Sequence, residues 1–382
     1  MRRVADGLAA WVLVGVIGWA GIAWIGWALW QATPRQAGFD LTLLLEAARR
    51  VTAGQSPYNP AMLAGASPDA TALFYSYPPP VAQAMTLLAW LPDGTVLVLW
   101  ALGATLGLGL AAWRLALATG RIATARADAV KAVAVAALLL PFAVAVLFGN
   151  LDAWYGLAFG AFVLAVAAPG ASRGRCVAGG IALGIVSAAK LHPALLLVWL
   201  LARALVDRHG PARQVLAAAL ATGLVIVAAS VLVGGVGPWQ DYVAVVGAGT
   251  GAAVVDPRNL GPVSLLGQVV SLDGTGVRAA QAVVALVALV VTVLAAVRVR
   301  DPLASVAVAI TACLVVLPVT WYHYPVALIP VGVALVAFRP ASRARVALAG
   351  VLASLAIAFT PLLWLAVGVL LAAAKGGHDA AA

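Results

Sequence analysis

Charge is scarce in this chain and unevenly spread, and that leaves it very few ways to fold. Only 9% of its 382 residues are charged and 64% are hydrophobic, with a mean hydropathy of +1.06. A soluble domain carries about a quarter charged residues. Apolar runs near the length that crosses roughly 30 Å of hydrocarbon recur along the whole sequence. The pattern predicts an all-α polytopic membrane protein, a single integral domain over 1–382. About eleven transmembrane helices (ten to twelve) are expected, at 8–30, 95–118, 132–148, 153–168, 176–189, 193–203, 214–233, 279–297, 303–317, 324–338 and 346–371.

Arg2 and Arg3 precede the first run and hold the N-terminus in the cytoplasm. Residues 8–30 exceed a signal-peptide apolar region and lack a small-residue cleavage site, so they are expected to stay as an anchor. With that orientation the cytoplasmic loops collect 16 Lys and Arg against 4 acids. The outer side collects 7, Lys375 among them, against 9. Cytoplasmic enrichment of this kind orients multi-span proteins and supports the register of spans. The net charge of +10 therefore reads as an orientation signal and a contact for anionic membrane lipids, with no nucleic-acid partner. The expected location is the plasma membrane, with the chemistry on its outer face.

Several expected spans are short, and charges explain why. A single helix over 176–203 would bury Lys190 at its middle, at a cost of at least ~2.5 kcal/mol. Two short helices meeting at Lys190-Leu191-His192-Pro193 avoid that burial. The same reasoning places tips at 149–152 and 320–325. Three outer tips then carry Asn150 and Asp152, Lys190 and His192, and Tyr322 and His323. Two outer loops are long. Residues 31–94 carry Asp40 and Tyr58, and residues 234–278 carry Arg258 and Asn259.

Each candidate has a plain structural reading beside its functional one. Leu41, Leu44, Leu45, Ala48 and Val51 share a helical face, so 41–53 reads as an amphipathic helix in the outer interface, stopped at Gly54. Asp40 is then either its N-cap or a proton-accepting base, and one carboxylate can serve as both. Lys190 is either paired with Asp152 or a contact for phosphate. His323 and Tyr322 form part of an aromatic belt or a donor beside the site. Arg258 is solvated or touches phosphate or sugar. Asn150 and Asp152 are equally well explained by tip hydrogen bonds.

Cys176 and Cys313 both lie in apolar runs and frame neither a disulfide nor a metal site. No Asp-x-Asp, Walker loop or dinucleotide fingerprint occurs, and no metal or cofactor is expected.

Taken in order, Phe39-Asp40, Ala47-Ala48, Gly54, Pro57-Tyr58, Tyr77-Pro78-Pro79, Gly149-Asn150, Lys190-x-x-Pro193, Arg258-Asn259 with Ser264, and Trp321-Tyr322-His323 resemble glycosyltransferase family 87 over roughly residues 38–325. Two positions depart from that family's usual pattern: the second tip reads Gly149-Asn150-Leu151 without a glutamine, and Asn259 is followed by Leu260-Gly261. The resemblance implies a C-type glycosyltransferase fold and an inverting α-1,2-mannosyltransferase that draws on a polyprenyl-phosphate sugar. It implies a glycolipid or lipoglycan acceptor, with Asp40 as the base; mannose, arabinofuranose or another lipid-borne sugar remain open. A transporter or flippase of lipid-linked substrates is the rival class, and a non-catalytic scaffold the third. Against a transporter, the polar groups gather on one face and no inverted repeat is visible.

Overall fold

The computed structural model describes residues 37–64, 75–248, 254, 256 and 258–375, and among them every regular element is helical. The expected span 8–30 lies outside the described residues. In chain order the main elements are α1 (Phe39–Thr52), α2 (Pro79–Met85), α3 (Asp93–Leu117), α4 (Ala125–Leu138), α5 (Leu140–Phe148), α6 (Tyr155–Ala167), α7 (Arg173–Ala189) and α8 (Leu195–Val206). They continue as α9 (Ala212–Gly234), α10 (Gly237–Ala248), α11 (Pro262–Val269), α12 (Gly274–Arg298), α13 (Pro302–Val315), α14 (Ile329–Phe338), α15 (Arg343–Leu355) and α16 (Leu362–Lys375).

Helices α3, α9 and α12 are long and apolar enough to cross a membrane by length and composition, and shorter apolar helices fill the middle. This all-helical, strongly apolar architecture fits a polytopic membrane protein. The core is built on α6 and α13. Phe159, Phe162, Val163 and Ala165 on α6, and Val306, Ala307 and Ile310 on α13, are all fully enclosed. By contrast α9 and α12 present Leu224, Leu232, Val283 and Leu286 outward, as lipid-facing helices do. Helices α7 and α9 approach so closely that a Cβ on Gly180 would sit 2.5 Å from Ala218 Cβ and from Val215 O. Small residues allow such contacts where no hydrophobic driving force exists between helices.

Three expectations are corrected, two of them about spans. The stretch 132–148 is broken: α4 and α5 meet at a 79° bend. Pro141 at the start of α5 has no N–H to continue α4, and the Leu140 N–H is taken by Ser354 Oγ at 3.1 Å. The stretch 346–371 is two helices, α15 and α16, packed on one another around a turn ending at Pro361. Trp364 Nε1 donates to Leu260 O at one end of α16, and Arg339 donates to Ala374 O at the other. Lys375 therefore returns to the end of the bundle that holds Arg339 and Arg343, and does not lie on the side of Asp40.

The third correction concerns α1. Its apolar face forms as the spacing predicts, but it packs on protein. Leu41, Leu44, Leu45 and Ala48 are each at most 1% exposed, against α2, α3 and α5. Glu46 and Arg49 remain outward, and the Arg49 guanidinium pairs with Asp93 at the start of α3. Helix α1 is thus packed onto the bundle as a shelf.

Candidate active site

Four chain segments deliver polar side chains to one place at the end of the bundle where α1 sits. The first is the start of α1. Its N-cap is Gly38, left-handed at φ 76°, with no side-chain cap. Asp40 lies in the first turn and does not cap, which corrects the N-cap reading. Its carboxylate is instead held from across the fold: Asn150 Nδ2 donates to Asp40 Oδ2 at 2.8 Å.

The second segment is the tip after α5. Helix α5 ends at Gly149 in the left-handed region, φ 65°, where a Cβ would lie 2.6 Å from Leu41 Cβ. Only glycine meets both conditions without strain. The turn lets α1 press onto the tip and aims Asn150 at Asp40. Asn150 is locked at every group: its Oδ1 accepts from the Asp152 N–H at 2.9 Å, and its carbonyl accepts from Trp100 Nε1 at 3.1 Å.

The third segment is the break between α7 and α8. Lys190 Nζ donates to Asp152 Oδ1 at 2.7 Å and lies 3.5 Å from Asn150 Oδ1. Among the described residues this is the one Lys or Arg ion pair with both partners buried, at 8% and 0% side-chain exposure. The pairing with Asp152 weighed from the sequence is thus present. The ammonium also lies 4.3 Å from the Tyr324 ring centroid and 5.3 Å from that of Tyr77, two cation–π contacts.

The fourth segment is the tip before α14. His323 Nε2 faces Asp152 Oδ2 at 3.6 Å, and its ring meets Tyr324 edge-on. His192 lies one layer deeper: it stacks on Tyr324 and its Nε2 is 3.3 Å from Tyr155 Oη.

The result is a continuous polar line, Asp40–Asn150–Lys190–Asp152–His323, in which Asp40 is the partly exposed end. Burial pushes its carboxyl up to about 6, opposed by the Asn150 hydrogen bond and the Lys190 charge and aided by Asp152. Asp40 Oδ1 has no hydrogen-bond partner among the described residues.

The remaining candidates lie apart. Tyr58 is fully buried behind the site, where its hydroxyl donates to Tyr77 O and its ring stacks with Tyr242. Arg258 is exposed and bound to Asp256 by three hydrogen bonds, two from its guanidinium at 2.7 and 3.0 Å and one from its backbone N–H at 2.8 Å, with the guanidinium 5.9 Å from the Trp321 ring centroid. Those bonds hold the Asp256 carboxyl below the usual carboxylate range. Asn259 is wholly buried. Its Oδ1 accepts from the Gly261 and Thr320 N–H groups, and its Nδ2 donates to Val254 O and Pro318 O. It ties the second long loop to the tip at 318–323, where Tyr322 sits half-buried. No group of three or more His, Cys, Asp or Glu suited to a metal ion occurs among the described residues.

Tyr77 and Tyr324, absent from the sequence candidates, form the aromatic walls around Lys190. The signal was their placement, Tyr77 in the Tyr-Pro-Pro run and Tyr324 next to His323.

A carboxylate, a buried ammonium and imidazoles clustered in this way can accept a proton and stabilise negative charge. Comparison with known proteins gives the class. No curated protein and no solved structure matches the chain. The sequence model of glycosyltransferase family 87 matches residues 75–320, well over half of the chain and inclusive of the Tyr77, Asn150, Lys190 and Asn259 segments. The chain belongs to glycosyltransferase family 87.

Proposed function

We propose that this protein moves a sugar, mannose in the first instance, from a polyprenyl-phosphate carrier to a hydroxyl of a glycolipid or lipoglycan at the outer face of the plasma membrane. One observation carries the reading: a partly exposed carboxylate, Asp40, is joined through a single side chain, Asn150, to a buried cation, Lys190. A base and a cation placed side by side match the two charges that develop in displacement of a lipid phosphate from a sugar.

Asp40 Oδ1 takes the proton of the acceptor hydroxyl. The acceptor oxygen bonds to the anomeric carbon as the bond from that carbon to the phosphate oxygen breaks, inverting the centre in one step through an oxocarbenium-like transition state. The departing polyprenyl phosphate gains negative charge, which Lys190 stabilises at low dielectric, with His323 and His192 behind it. Asn150 and Asp152 orient Asp40 and Lys190. Arg258, held by Asp256 beside Tyr322, offers its guanidinium on the later outer loop to phosphate or sugar, and Asn259 keeps that loop on the 318–323 tip. Tyr58 supports Tyr77 from behind.

The test is product formation by purified protein given radiolabelled polyprenyl-phosphate sugars, mannose and arabinofuranose in parallel, and a lipid acceptor, with no ion gradient. Transfer from the mannosyl carrier supports the reading. Transfer from a soluble nucleotide sugar alone refutes the lipid-borne donor.

A further inference from the structure

The bundle holds a lipid-sized cavity away from Asp40. A cavity of about 560 Å³ lies between α3, α4, α14, α15 and α16. Its walls are almost all aliphatic, with Val135, Leu139, Val333, Val346 and Leu370 among them. The space is half open and is large enough, with such walls, to receive an apolar chain.

One end of the cavity is charged. Arg121, Lys131 and Arg343 line it, with Asp128 the only acid. Arg121 is already engaged, bonded to Ala337 O and 3.7 Å from Asp128. Lys131 and Arg343 are exposed and have no carboxylate partner among the described residues. The chain path puts this end far from Asp40. Helix α3 begins beside α1 and runs 25 residues away, roughly 37 Å, before Arg121 follows it. Helices α4 and α5 climb back to the Asn150 tip, and α14 descends from the His323 tip to Ala337.

We infer that this cavity binds an anionic glycerophospholipid, with acyl-chain carbons between α4 and α15 and the phosphate against Lys131 and Arg343. The charge pattern selects that occupant over the sugar-donor lipid. The donor's phosphate belongs beside Lys190 at the other end, and one headgroup cannot occupy both. The choice between these two lipids rests on the proposed placement of the donor phosphate beside Lys190.

The test is photocrosslinking of the purified full chain with phosphatidylglycerol bearing a diazirine acyl chain, against phosphatidylcholine with the same chain. Phosphatidylglycerol adducts are expected to concentrate on Ala125–Leu138 and Arg343–Leu355. Lys131→Gln with Arg343→Gln is expected to lower them about thirtyfold, at roughly fivefold per cation. Should that variant not fold, 1 M salt on the wild-type protein reads the same charge dependence, because exposed charges are then screened within about 3 Å. Equal labelling by both headgroups, or adducts spread over the outward faces of α9 and α12, overturns the proposal. Displacement of the label by unmodified polyprenyl phosphate also overturns it, and assigns the cavity to the donor's tail.

Discussion

Asn150→Ala separates a positioning role from a merely structural one. The Nδ2 bond to Asp40 stabilises the ionised carboxylate, as a charge-assisted hydrogen bond worth about 1.5–3 kcal/mol. Its loss therefore raises the Asp40 pKa by about 1–2 units, since one unit corresponds to about 1.4 kcal/mol. In the wild-type protein the group titrates at about 6, raised by burial. A base must be unprotonated to act, so the wild-type rate falls as pH drops through about 6 and is full above it. In Asn150→Ala that acid limb moves up to about 7–8, and most of the lost rate returns at pH 9. Initial transfer rates from pH 5 to 9 with saturating donor read this directly. The variant also loses the cap on the Asp152 N–H, about 1 kcal/mol, so thermal unfolding is followed in parallel. A uniform loss of rate with the limb still near 6 refutes the coupling between Asn150 and Asp40.

Three further outcomes follow from the same geometry. Asp152→Asn leaves the Lys190 ammonium buried without its counter-charge and is expected to cost about 3–5 kcal/mol by thermal unfolding. The double variant Asp152→Asn with Lys190→Met recovers most of that stability yet remains inactive; return of activity would reduce Lys190 to a structural role. Cysteines placed at 343 and 375 react with a membrane-impermeant thiol reagent from one side and a cysteine at 40 from the other, over a silent background because Cys176 and Cys313 are buried. Labelling of position 375 from the side of position 40 would contradict the α15–α16 hairpin.

Much of this site is legible in the sequence because a charge inside an apolar run must be explained. Lys190 cannot sit at mid-helix, so a break was required there, and Asp152 was the acid at hand on another tip. The helix from residue 39 showed itself through the Leu41–Leu44–Leu45–Ala48 spacing. What covers that face was not legible, since protein and lipid satisfy leucine equally well. Asp40 as N-cap was the natural expectation for an acid at a helix start; Gly38 takes that position because its backbone can turn left-handed. The turn within 346–371 is hidden in the sequence because Ala356 to Pro361 carries no charge and hydropathy alone runs through it. Tyr77 and Tyr324 were obscured for a related reason: tyrosines at a membrane boundary look like interfacial anchors until a cation is found between them.

The central role assigned to Asp40 is tested most directly by Asp40→Asn. The amide keeps the size of the side chain, and its oxygen still accepts from Asn150, so the protein is expected to unfold at or above the wild-type temperature. It cannot accept the acceptor's proton, and initial transfer at pH 7.5 is expected to fall at least ~100-fold. Near-full turnover by that well-folded variant contradicts base catalysis by Asp40.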